Sequence, residues 1–83
     1  MKEKEIIKIK EKSYIILTTT IDQNIHYAFA NELDGNNNPT NTYFVFYKAN
    51  NQKLMLLKDK TILNKLIPTF QKNLQESIKK MIN

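Results

Sequence analysis

Residues 5–10, Glu-Ile-Ile-Lys-Ile-Lys, put Ile7 and Ile9 on one side of an extended chain and Ile6, Lys8 and Lys10 on the other. That two-residue period predicts a half-buried first strand. After the polar break Glu11-Lys12-Ser13, the run Tyr14-Ile15-Ile16-Leu17-Thr18-Thr19-Thr20 is β-branched and aromatic, and predicts a second strand. Asp22-Gln23-Asn24 has the side chains of a tight turn. A third strand follows over residues 25–30, with Ile25, Tyr27 and Phe29 toward the core and His26, Ala28 and Ala30 on the other face. Residues 31–42 are the most polar of the chain, and with Asp34-Gly35-Asn36-Asn37-Asn38-Pro39 at their centre they predict one long loop. Tyr43-Phe44-Val45-Phe46-Tyr47 is apolar on both sides, as a central fourth strand would be. Ala49-Asn50-Asn51-Gln52 then predicts a hairpin turn into a fifth strand over residues 53–57.

From Asp59 the period lengthens. Ile62, Leu63, Leu66, Ile67, Phe70, Leu74, Ile78 and Met81 recur at helical spacing, with Lys60, Lys65, Lys72, Glu76, Lys79 and Lys80 opposite them and Asp59 placed to cap the first turn. Pro68 lacks the N–H that would bond the carbonyl of Asn64. The expectation is a kink, or two pieces nearly in line over 59–67 and 68–82. The fold class that follows is α+β, a single domain over residues 1–83. It comprises an antiparallel meander of four or five strands within 5–57 and a C-terminal amphipathic helix packed on one sheet face. Leu63, Leu66, Ile67, Phe70, Leu74 and Ile78 are its predicted contacts.

Composition narrows the chemistry. With 83 residues and no cysteine, a disulfide framework, a thiolate metal site and a cysteine nucleophile are all excluded. Gly35 is the sole glycine, so a glycine-rich phosphate loop is excluded too. His26 is the only histidine, and Ser13 and Ser77 have no partner base by spacing. Asp22, Glu32, Asp34 and Asp59 fall in predicted turns and at the helix start, where each has a local backbone role. The sequence therefore predicts no catalytic residue, no metal site and no cofactor. The charged start Met1-Lys2-Glu3-Lys4-Glu5 has no secretory apolar core, and no run reaches the length of a membrane span, so the expected setting is cytoplasmic.

The net charge is +5, and all 13 basic residues are lysine. Lysine meets phosphate as a point charge, whereas the bidentate reading of base edges favours arginine. Codons rich in A and T also give an excess of Lys, Asn and Ile without any functional cause.

The functional candidates lie on the fourth strand. Tyr43, Val45 and Tyr47 share one face and Phe44 and Phe46 the other, and a single helix covers one face of a sheet. One set is then exposed, unless the sheet curves enough to wrap both. Tyr43, Val45 and Tyr47 are accordingly the candidate protein-binding residues, tyrosine being favoured at interfaces. The first expectation is a small non-catalytic protein-interaction module. An alternative is a lysine-driven, sequence-tolerant nucleic-acid-binding protein, with Lys48, Lys53, Lys58 and Lys60 on phosphates and Tyr43 or Tyr47 stacked on a base. A third reading is a small phage or plasmid inhibitor of a host defence protein, a class of similar size and composition. The expected partner is another protein, with nucleic acid second, self-association open and no membrane.

The succession Ser13-Tyr14-Ile15-Ile16-Leu17, Tyr27-Ala28-Phe29, a polar loop, Tyr43-Phe44-Val45-Phe46, Leu54, Leu56 and then residues 59–70 resembles the small uncharacterised YrzB-like proteins of Gram-positive bacteria. The resemblance runs from residue 6 to about residue 75. It implies strands followed by a helix, and no activity. That family is acidic where this chain is basic.

Overall fold

A computed structural model describes residues 1–50 and 52–82, with side chains described through Lys79. Five strands come first, β1 (Ile6–Ile9), β2 (Lys12–Asp22), β3 (Ile25–Leu33), β4 (Pro39–Lys48) and β5 (Met55–Leu56), followed by the helix α1 (Lys60–Ile82). The strands form one antiparallel sheet in the order β1-β2-β3-β4-β5, the meander the sequence predicts. Among the described residues no helix is long and apolar enough to cross a membrane.

The turns place residues in left-handed backbone, a region that suits Asn24 and that Gln23 and Lys10 enter without such a preference. Gln23 and Asn24, with φ of 51° and 65°, make the two-residue turn between β2 and β3. Lys10, with φ of 57°, opens the β1–β2 turn. The hairpin after β4 includes Ala49, Asn50 and Gln52 as predicted; Asn51 lies outside the described residues.

The long loop is the main departure. Only residues 34–38 lie between β3 and β4, because Asn31, Glu32 and Leu33 continue one strand and Pro39 to Thr42 begin the next. Asn31 is buried, and its Nδ2 donates to the carbonyls of Thr40 at 2.7 Å and Thr42 at 3.0 Å across a register shift. The Thr40 hydroxyl donates to the carbonyl of Glu32 at 2.7 Å. Polar side chains thus replace part of the ladder. In the short loop that remains, Asp34 Oδ1 accepts from the N–H of Asn36 at 2.8 Å and of Asn38 at 2.9 Å.

Those donors, Asn38 first and Asn36 second, hold the Asp34 carboxyl below its ordinary value of 3.8. A depressed carboxylate stabilises the fold above its unfolded pKa, and that contribution disappears as pH falls through the lower folded value. Acid melts should therefore show a smaller loss of stability below pH 3.8 in Asp34→Asn than in the parent.

The sheet curls and builds two cores. On its inner face Tyr14, Ile16, Ala28, Ala30 and Phe46 are buried together, with Met1, Ile7, Ile9, Phe44 and Leu54 packed around them. Ala28 and Ala30 stand opposite Phe46 and Phe44, and their small side chains leave room for large ones to converge. The Tyr14 ring meets Phe46 at 5.0 Å and Phe44 at 5.7 Å, both edge to face. No helix covers this face; the curl does. Between Ile16 and Thr18 the β2–β3 register shifts, a bulge that bends the sheet in this region.

The other face carries α1. Tyr27, Val45, Leu57, Leu66 and Phe70 form the second core, with Ile25, Phe29, Tyr47, Ile62 and Leu63 at its margin. Phe70 stacks on Phe29 at 5.7 Å. Asn73 Nδ2 donates to the Thr19 carbonyl at 3.3 Å, and Lys65 pairs with Asp22 at 2.8 Å, so α1 runs along β2. The pairing with Asp22 also raises the Lys65 pKa.

The expected kink or division at Pro68 is not found. α1 is one helix of 23 residues with Pro68 inside it. Leu66 and Phe70, both 3% exposed, anchor the helix on either side of the proline, while Asn64 and Pro68 face solvent, where water can satisfy the freed carbonyl. The predicted contacts also need correction: Ile67 and Ile78 are exposed, and the Met81 side chain lies outside the described residues.

The helix start is as predicted. Asp59 Oδ1 accepts from the N–H of Thr61 at 2.9 Å and of Ile62 at 3.3 Å. Asp59→Ala should cost about 0.5–2 kcal/mol in a urea titration, with an unchanged denaturant slope.

Candidate functional site

α1 runs along β2, and β4 lies two strands, about 10 Å, to one side, whereas a helix with its side chains reaches only about 5 Å from its axis. α1 therefore leaves part of its sheet face uncovered. On the β4 side this forms an open groove of about 560 Å³. Its floor is Phe29, Tyr43 and Val45, its wall is Leu63, Ile67, Phe70 and Leu74 of α1, and Leu57 lies at the point where β5 ends. Tyr43 stacks on Phe29 at 5.4 Å with the planes 6° apart, and Phe29 in turn stacks on Phe70. Three rings thus run from the strand edge to the helix. Lys60, Asn64 and Gln71 are the polar lining, and no carboxylate is among the described residues of the groove.

Tyr43 is 50% exposed and Ile67 44% exposed. Both belong to this one groove, together with the partly buried Phe29, Leu63 and Leu74. Such a cluster differs from apolar residues scattered singly over a surface.

The three candidate protein-binding residues are not equivalent. Tyr43 reaches the surface. Val45 is 6% exposed beneath α1, so its side chain belongs mainly to the core and only its edge reaches the groove floor. Tyr47 is half-buried and tilted against Tyr27 at 6.4 Å. The residues proposed for nucleic acid are also divided. Lys60 shares the groove with Tyr43, while Lys48 lines a separate depression with Met1, His26, Ala49 and Asn50. Lys53 and Lys58 are exposed near β5. His26 is exposed on β3 opposite Lys48.

Of Asp22, Glu32, Asp34 and Asp59, the last two have the local backbone roles expected, holding a turn and capping α1. Asp22, at the end of β2, pairs instead with Lys65 of α1, and Glu32 pairs with Lys12 at 3.2 Å from within β3 rather than from a loop. Among the described residues, no group of three His, Asp or Glu side chains converges to hold a metal ion.

The sequence reading missed the helix wall. A signal for it exists in the spacing: Ile67 lies about 60° and Ile78 about 80° round the helix from Phe70, on the flank that also holds Lys60, Asn64 and Gln71. With Ile62 about 80° away on the other flank, the apolar arc is wider than the roughly 100° stripe a helix needs to sit on a sheet. The surplus forms the groove.

No family model matches the chain, and comparisons with characterised proteins and with solved structures give no match.

Proposed function

We propose that the protein is a small non-catalytic interaction module that docks another protein in the groove between β4 and α1. The observation that carries this reading is the exposure of Tyr43 and Ile67 on opposite sides of one unfilled apolar groove. Apolar clefts of a few hundred Å³ with a few polar groups are the usual form of a binding site, and an aromatic anchor beside an aliphatic wall is the usual centre of a protein interface. Tyr43 is already held by its stack on Phe29, so little side-chain freedom is lost on binding.

The test is to capture the partner on the immobilised chain, purify it, and titrate it against the parent and Ile67→Glu. Ile67 is half exposed, so the charge should be tolerated with little change in melting temperature, while the affinity should fall at least about tenfold. Equal affinity for both proteins would show that the partner docks elsewhere than in the groove. Recovery of heterogeneous, nuclease-sensitive cargo instead would favour the lysine-driven nucleic-acid reading, whose affinity should fall steeply with salt.

A further inference from the structure

We propose that the occupant of the groove is an acidic amphipathic helix of another protein, lying on the sheet beside α1; the inference rests on the docking reading above and specifies its partner. The groove lies over β3 and β4 beside α1, and at Tyr43 β4 is the outermost strand, because β5 pairs only with Phe46 and Tyr47. The wall offered to an occupant there is helical. Ile67, Leu74 and Ile78 follow one another on the flank of α1 at intervals of seven and four residues, the repeat of a helix–helix seam. Ile78, 55% exposed, continues that seam beyond the groove, so an occupant running along α1 covers both isoleucines. A strand added beside β4 would leave Ile78 in water.

The sign of the partner follows from charge. Lys60 is the only ionised group in the groove among the described residues, and Asp59 next to it is engaged in capping α1. Lys58 follows the groove residue Leu57 in the chain, and the whole chain carries +5. A second copy of the chain would bring its own lysine-bearing α1 against Lys60 and meet repulsion. A helix with Asp or Glu beside its apolar stripe meets the opposite sign, which speeds encounter and rejects basic competitors.

The probe is a phage-displayed library of random peptides about 16 residues long, enough for four helical turns, selected on the full chain. Enriched sequences should carry apolar residues at helical spacing with Asp or Glu on the flank. The best peptide should gain helical circular dichroism on binding, lose at least about tenfold in affinity to Ile67→Glu, and bind less tightly to Lys60→Glu and in high salt. Three results would overturn the proposal. Alternating apolar and polar peptides that protect the Tyr43 amide from exchange would show strand addition: the Leu57 N–H donates to the Val45 carbonyl, which by alternation turns the Tyr43 N–H to the same open edge. A concentration-dependent dimer abolished by Ile67→Glu would assign the groove to a second copy. Enrichment of basic peptides, or of none, would reject the acidic helix, while the purified-partner titration would still decide separately whether a protein docks in the groove.

Discussion

Replacing Val45 with aspartate should abolish folding. Val45 stands opposite Phe29 in the ladder and is enclosed with Tyr27, Leu57, Leu66 and Phe70 beneath α1. Phe29, Leu57, Leu66 and Phe70 have no side-chain donor to offer a carboxylate there. An unpaired charge at such a site costs several kcal/mol even after the group neutralises itself by taking up a proton. A domain of this length is stable by about 4–12 kcal/mol, so the loss consumes much or all of the total. Circular dichroism and a proton spectrum of Val45→Asp should show an unfolded or molten chain at neutral pH. A folded variant melting with the parent would place Val45 at the surface and remove α1 from the sheet.

Phe70→Ala should cost about 3–5 kcal/mol, the range for deleting a buried aromatic ring. Phe70 is 3% exposed, stacks on Phe29 and forms part of the groove wall, so its removal opens a cavity and loosens the contact between helix and sheet. A urea titration should lower the midpoint with little change in slope. A cost below about 1 kcal/mol would mean that Leu66 and Leu63 alone hold the helix. Because Phe70 serves both core and groove, this variant reports on stability and cannot isolate binding.

The strands and the helix were legible because their periods are plain. Ile7 and Ile9 alternate with lysines and face the inner core, and Asp59 sits where an N-cap belongs and makes both bonds expected of one. Residues 31–33 and 39–42 were not legible as strands, since Asn31 and Thr40 bond across the ladder with side chains whose composition reads as loop. Local propensity has no knowledge of a partner strand. Pro68 misled in the opposite direction: its cost is local, and the buried anchors Leu66 and Phe70 outweigh it.

The candidate site was half legible. Tyr43 was visible as an exposed aromatic on a strand apolar on both sides. That Val45 and Tyr47 would differ from it depends on where α1 crosses, and Ile67 looked like core because an apolar stripe does not announce how much of its width the sheet will use. The curl that buries Phe44 and Phe46 was open in the sequence, and the alanines at positions 28 and 30 are what permit it.

The most direct measurement is a methyl-labelled spectrum of the protein titrated with its purified partner. Shifts are expected at the methyls of Leu63, Ile67 and Leu74 along the groove, and none at Ile6 and Ile21, which are exposed on β1 and β2. Shifts confined to Ile6 and Ile21, with the groove methyls unmoved, would contradict docking in the groove.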